Sequence, residues 1–191
     1  STYKRSTFYR RLGKRMAIRH ANNISAYRRS LEQHPDEIIS LYNELLIGVT
    51  RFFREPEVWN TLYRLIKEHL ENAPASSCVF RAWCAACSTG QEAYTLAMVF
   101  QEALAELSAS QPDSIDKSKI SLQVFATDLN ATSIAKARKG IYPSDIADEI
   151  SPERLERFFR KHEVGYQINK DIREMIVFAP HNLITDPPFS R

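Results

Sequence analysis

The stretch from Phe80 to Tyr94, FRAWCAACSTGQEAY, constrains this chain more than any other. An apolar run, Cys78 to Trp83, gives way to small residues, Cys84 through Gly90, and a helical pattern follows at once. That order predicts a strand, a tight turn and a helix N-terminus. Small side chains let a ligand approach the backbone, and a helix start presents N–H groups without intrahelical partners. A second strand-like run, Ile120 to Ala126, ends in Thr127-Asp128. An acid at the tip of a second strand suits the hydroxyl pair of a ribose. Together the two runs read as the cofactor cleft of a Rossmann-like half-domain. The turn has one glycine rather than the three of the dinucleotide fingerprint, so taken alone it leaves an ordinary strand-to-helix connection open.

The 191 residues, 43% hydrophobic and 26% charged, suit one or two globular domains. No apolar run approaches membrane-spanning length, and no apolar stretch follows the basic N-terminus as in a signal peptide. A cytoplasmic location is therefore expected. The cysteines, Cys78, Cys84 and Cys87, are odd in number and cluster around one strand, which does not read as a disulfide framework. Cys84-Ala-Ala-Cys87 has the spacing of a redox pair or half a zinc site, but no further Cys or His stands nearby in sequence. Small size is reason enough for cysteine there, and no metal is expected.

Net charge is +3 but unevenly placed. The first 35 residues hold nine Lys or Arg against one acid, Glu32, so the rest of the chain is net acidic. Phe8, Leu12 and Met16 form one helical stripe, with Arg10, Arg11, Lys14, Arg15 and Arg19 largely off it. The first helix thus reads as amphipathic, with a basic outer face suited to an anionic partner. Ser25 reads as the N-cap of a second helix reaching about Gln33. Pro35 with Asp36 and Glu37 reads as the first turn of a third, whose buried stripe is Ile38, Leu41, Tyr42, Leu45 and Leu46.

Gly48-Val-Thr-Arg-Phe-Phe-Arg54-Glu-Pro56 reads as a loop between a helix-ending glycine and a helix-starting proline. At least one of Phe52 and Phe53 is expected in the core, and Arg54, just beyond them, calls for a partner. Val58, Trp59, Leu62, Leu65, Ile66 and Leu70 continue as an amphipathic helix. Residues 71–77 read as a loop and 108–118 as a polar connection. Ala131 to Lys139 is helical with Gly140 as its C-cap, a helix starts at Ser151-Pro152, Tyr166 to Ile168 is a short strand, and Met175 to Ala179 is the third clear one. Strand, helix, strand, helix, strand predicts an α/β fold with a mostly parallel sheet. Three strands are too few for both faces of a doubly wound sheet to be covered, and the chain is expected to be a fragment.

At this point several segments match a known family. Arg10 to Met16 (RRLGKRM), Leu45 to Arg54 (LLIGVTRFFR), Trp83 to Tyr94, Phe125 to Leu129 (FATDL) and Val177 to Leu183 (VFAPHNL) resemble, in order and across nearly the whole chain, the chemotaxis receptor methyltransferases of the CheR type. Those enzymes use S-adenosylmethionine to methylate receptor glutamates and leave S-adenosylhomocysteine. The wording LLIGVTRFFREPE and DPPFSR is similar to the branch fused to a methylesterase and sensor domains.

The resemblance implies a small all-α basic domain (1–55), a connecting helix (56–70) and the N-terminal part of an S-adenosylmethionine-binding domain (71–191) whose C-terminal half is missing. It implies that Thr50 and Arg54 line the cofactor pocket, Glu92 contacts the cofactor, Asp128 holds the ribose, and Asn182 and Leu183 flank the adenosine. The basic first helix, with Arg11, Lys14 and Arg15, would meet the acidic cytoplasmic helices of the receptor. Gly48 stands where many members carry Asn, and the family's later Cys-Arg-Asn strand and tyrosine are not in this chain.

A glutamate is already ionised at neutral pH, so it needs no general base to act as nucleophile, and a sulfonium is an activated donor. The work left is positioning and exclusion of water. Arg54 is the catalytic candidate, because a guanidinium can hold a carboxylate by two parallel hydrogen bonds. Two rivals stand beside this reading. One is a non-catalytic cofactor sensor or receptor-docking module. The other is a DNA or protein-glutamine amino-methyltransferase, suggested by Asp186-Pro-Pro-Phe189, which however lies seven residues beyond the third strand rather than directly after it.

Overall fold

The computed structural model describes residues 5–45, 50–72, 78–110 and 119–187. The chain divides into two compact units, Ser1–Gly48 and Val49–Arg191, so the division precedes the Thr50–Arg54 segment rather than following it.

The first unit is helical: α1 (Arg5–Ile18), α2 (Ile24–Gln33) and α3 (Pro35–Leu45). Asn23, not Ser25, caps α2. Its Oδ1 accepts the Ala26 N–H at 2.8 Å, two residues before the position the expected cap would reach. The inward face of α3 also differs from expectation. Glu37 is buried, whereas Ile38 and Tyr42 are about half exposed, and Leu46 lies outside the described residues. The cause is a polar centre. Arg15 forks the Glu37 carboxylate at 3.0 and 2.6 Å, and the Tyr27 hydroxyl donates to it at 2.7 Å. A buried carboxylate so satisfied can occupy the position an apolar residue would otherwise take. Arg11, also buried, donates to the carbonyls of Glu44 and Leu45 at the C-terminal end of α3, where a cation is favoured. Arg11 and Arg15, expected on a basic outer face, are therefore turned inward. Lys14 does lie outside, 61% exposed and paired with Glu44.

The second unit opens with α4 (Pro56–Glu71) and then runs β1 (Cys78–Ala85), α5 (Gln91–Ser110), β2 (Ile120–Asp128), α6 (Ala131–Lys139) and, at its end, β6 (Ile176–Pro180). The strands form one parallel sheet in the order β1-β2-β6, with Trp83 beside Phe125 and Phe125 beside Val177. Both crossover helices pack on one face of this sheet. Phe80, Leu122, Val124, Ala126 and Phe178 meet α5 and α6 there. α5 is buried on nearly every side, because α4 packs on it from outside. The inward face of α4 is Trp59, Tyr63, Ile66 and Leu70, while Val58 and Leu65, expected in its stripe, are exposed. On the opposite face of the sheet Val79, Trp83 and Val177 are 45–51% exposed, as befits three strands with helices on one side.

Between α6 and β6 the chain inserts a feature the sequence reading largely missed. β3 (Ile141–Tyr142), β4 (Phe159–His162) and β5 (Gly165–Ile168) form a small antiparallel sheet ordered β3-β5-β4, joined by a 3₁₀ turn (Ser144–Asp148) and α7 (Pro152–Phe158), and followed by α8 (Lys170–Glu174). Gly140 ends α6 at φ +59°, as expected of a glycine C-cap. No helix among the described residues is long and apolar enough to cross a membrane.

Candidate functional site

The turn after β1 is held in a conformation that side chains usually avoid. Ala86 (φ +58°) and Ser88 (φ +50°) are left-handed and alternate with Cys87, and Gly90 follows at φ +94°. Each non-glycine residue of this kind costs about 1–3 kcal/mol and persists only where neighbours over-determine it. Here they do. Cys87 N donates to Thr127 O at 2.9 Å, Ser88 N to Asp128 Oδ2 at 2.8 Å, and the Tyr142 hydroxyl to Thr89 O at 2.7 Å. A Cβ on Gly90 would lie 3.0 Å from Ala137 Cβ and 3.1 Å from the Phe178 ring, so this glycine also permits the close approach of α5 to α6 and β6.

Asp128 stands half-buried at the tip of β2. Its Oδ2 accepts Ser88 N and its Oδ1 accepts Asn130 N, each at 2.8 Å. A carboxylate has about four acceptor positions, so each oxygen keeps one for a ligand hydroxyl. Beside it, His181 N donates to Asp128 O at 3.0 Å, which ties the loop after β6 to the same edge. In that loop the Asn182 side chain accepts Ile184 N at 3.0 Å, and Leu183 is 55% exposed. Asp186 accepts Asn182 N at 2.8 Å, a bond that holds its carboxyl below the usual range. Asp186 thus closes its own loop, and Pro188 and Phe189 lie outside the described residues.

Glu92 sits exposed in the first turn of α5, and its Oε1 accepts the Cys84 thiol at 3.2 Å. Burial first, then the Glu92 charge, pushes the Cys84 thiol far up; burial and Asp128 push Cys87 to about 12. Both are free thiols held protonated, which fits small packing residues better than redox or zinc ligands. Among the described residues no cluster of metal-binding side chains occurs.

The Thr50–Arg54 segment lies against the start of α5. Phe53 N donates to Thr95 Oγ1 at 3.3 Å, and Phe52 N to Glu149 Oε2 at 2.9 Å. Phe52 and Phe53 are both buried and Thr50 is half-buried. Phe53 (φ +47°) and Glu55 (φ +58°) are left-handed and flank Arg54. The Arg54 side chain is 60% exposed, and its Nε stands 4.0 Å from Glu55, a weak surface pair. Four of the five left-handed non-glycine residues among those described therefore fall in the two segments that the motifs single out, the fifth being His20.

Comparison with known proteins decides the family. Residues 1–46 match the family model described as CheR methyltransferase, all-alpha domain, and residues 48–191 match CheR methyltransferase, SAM binding domain. The chain belongs to the CheR methyltransferase family. It is 39% identical over 189 residues to an uncharacterized 104.1 kDa protein in the hypE 3′ region of Rhodobacter capsulatus, covering 99% of this chain and 19% of that protein. It is 31% identical over 188 residues to the chemotaxis protein methyltransferase of Escherichia coli K12, covering 95% of this chain and 59% of the relative. The chemotaxis protein methyltransferase of Salmonella typhimurium is 28% identical over 188 residues, again with 59% of the relative covered. The chain thus spans well under two thirds of the length of these curated relatives.

The residues present fit the cofactor of a CheR SAM-binding domain. Asp128 keeps acceptor positions for two hydroxyls, Glu92 offers an exposed carboxylate beside the turn, and the turn itself exposes backbone between small side chains. A cavity of about 630 Å³ lies elsewhere. It is lined by Phe53, Trp59, Tyr63, Glu102 and Arg154 among others, and by none of the expected cofactor residues. Two residues that hold the Arg54 segment escaped the sequence reading: Glu149 on the Phe52 amide, and Arg154, whose guanidinium lies 4.1 Å over the Phe53 ring. No sequence spacing signals them, because they reach the segment from about a hundred residues away.

Proposed function

We propose that this chain carries the cofactor-binding part of an enzyme that transfers methyl groups to glutamate carboxylates of chemotaxis receptors. The observation that carries the reading is the Asp128 carboxylate, fixed by two backbone N–H groups beside a strained turn with one acceptor position left on each oxygen. When bound, S-adenosylmethionine supplies a methyl group on a positively charged sulfur.

The chain's own residues then have limited tasks. Asp128 accepts the ribose hydroxyls. Thr50, Glu92, Asn182 and Leu183 bound the remaining surface of the pocket. Arg54, on a backbone set by left-handed neighbours, holds the acceptor glutamate by a guanidinium fork and turns one oxygen toward the donor. The acceptor is ionised without help from a base. In the first unit the outward cations of α1, Lys14 among them, face the acidic receptor; Arg11 and Arg15 serve the unit's interior instead.

The test is methyl transfer from labelled S-adenosylmethionine to a receptor cytoplasmic fragment in the presence of this chain. Glutamate methylation yields a methyl ester, so mild base should release the label as methanol. Base-stable label would mark an amino-methyltransferase. Cofactor binding without transfer would mark a sensor.

A further inference from the structure

The Arg54 segment is held from outside the cofactor site. Arg154 projects from α7, in the insertion between α6 and β6. Its Nε and Nη2 fork the Glu102 carboxylate of α5 at 2.8 and 2.9 Å, with the two side chains 35% and 18% exposed. The guanidinium carbon lies 4.1 Å from the centroid of the Phe53 ring. A planar guanidinium can make the fork and cover an aromatic face at once, which an ammonium cannot.

What Arg154 covers is the strained residue itself. Phe53 is left-handed, and its one amide bond, to Thr95, is a long 3.3 Å. Its ring also meets Trp59 edge-on at 6.5 Å, and the Trp59 indole N–H donates to the carbonyl of Arg54 at 2.8 Å. Glu149 and the Tyr142 and Phe159 rings, from the same insertion, hold Phe52 next door. The path from Arg154 to Arg54 is therefore one ring and one peptide long.

We infer that Arg154, braced by Glu102, is a positioning residue: by pressing on the Phe53 ring it fixes the backbone conformation from which Arg54 works. The inference rests on the reading of Arg54 given above, but the clamp can be measured without cofactor. The chain has two tryptophans, Trp59 and Trp83, and their indole N–H groups donate to different partners, Arg54 O and Thr127 Oγ1. In ¹⁵N-labelled protein, the Trp59 indole reports the Arg54 carbonyl and the Trp83 indole reports the sheet.

Arg154→Met should shift the Trp59 indole resonance and speed its hydrogen exchange by about tenfold, leaving Trp83 unchanged. Arg154→Lys should resemble the Met variant, since it keeps the charge and loses the fork. In a Phe53→Leu background, Arg154→Met should add less than about twofold. An unmoved Trp59 signal in Arg154→Met, or an undiminished effect without the Phe53 ring, would overturn the clamp. If Arg154→Met does not fold, Arg154→Lys and Glu102→Gln are read by the same signal against the same two outcomes. Titration of S-adenosylhomocysteine into the same samples separates the two ideas. No binding by the unmodified chain sinks the reading of the site, while the indole exchange still decides the clamp.

Discussion

Arg54 lies between two residues whose backbones are held left-handed, so the direction in which its side chain leaves the backbone is set by the chain. Arg54→Lys keeps the charge but loses the bidentate geometry. Methyl transfer should fall at least tenfold while the melting temperature moves by only a few degrees, since the side chain is 60% exposed. Equal loss of stability and activity would make Arg54 a structural residue. In the helical unit a different residue carries the stability. Arg15 and Tyr27 hold Glu37 below the ordinary carboxylate range against the opposing cost of burial, and burial with the Glu37 bond raises Tyr27 to about 12. A depressed carboxyl contributes stability above its unfolded pKa, near 4.3, that is lost as pH falls through the lower folded value. The raised Tyr27 contributes stability below pH about 10 that is lost on approach to about 12. Thermal melts should therefore weaken below pH about 4, and Glu37→Gln should be less stable at neutral pH, by roughly 3 kcal/mol, with a flatter acid limb. An unchanged acid limb in the variant would remove Glu37 from this role.

At the scale of elements, the β1–turn–α5 unit depends on one missing side chain. Gly90→Ala would place a methyl 3.0 Å from Ala137 Cβ at a φ that disfavours any side chain. A stability loss of about 2 kcal/mol and weaker cofactor affinity are expected, by denaturant unfolding and calorimetry. A neutral outcome would show that the turn is not tightly packed. This unit, the strand ending in Asp128 and the Gly140 cap were all legible because each is written in adjacent residues. The antiparallel insertion was not. Its strands are two to four residues long and their pairing is between distant segments, as with Tyr142 beside Tyr166 and Phe159 beside Ile168. The inward faces of α3 and α4 were misread for a related reason. Hydrophobic period selects a stripe, but Arg15 and Tyr27 make Glu37 an acceptable core residue. On α4, Tyr63 rather than Val58 meets α5, where its hydroxyl finds Glu106.

Across the whole molecule, charge and chemistry divide between the units. Residues 1–35 carry the basic excess, but α3 returns Asp36, Glu37 and Glu44, and Arg11 and Arg15 are spent inside. On the proposed reading, attraction of an acidic receptor rests on exposed cations such as Lys14, and exposed charges are screened within about 8–10 Å at ordinary ionic strength. Association with a receptor fragment should weaken as salt rises, and Lys14→Glu should slow association rather than speed dissociation. Surface plasmon resonance at two ionic strengths would reveal either result. Cofactor chemistry belongs to the second unit, where the expected residues come from three places: the Thr50–Arg54 segment, the β1–α5 turn and the tips of β2 and β6. The most direct test is calorimetric titration of S-adenosylhomocysteine into the chain and into Asp128→Ala, each shown to be folded by the Trp83 indole signal. The account predicts that the chain binds and that the variant binds at least tenfold more weakly; equal affinity in the two would contradict it.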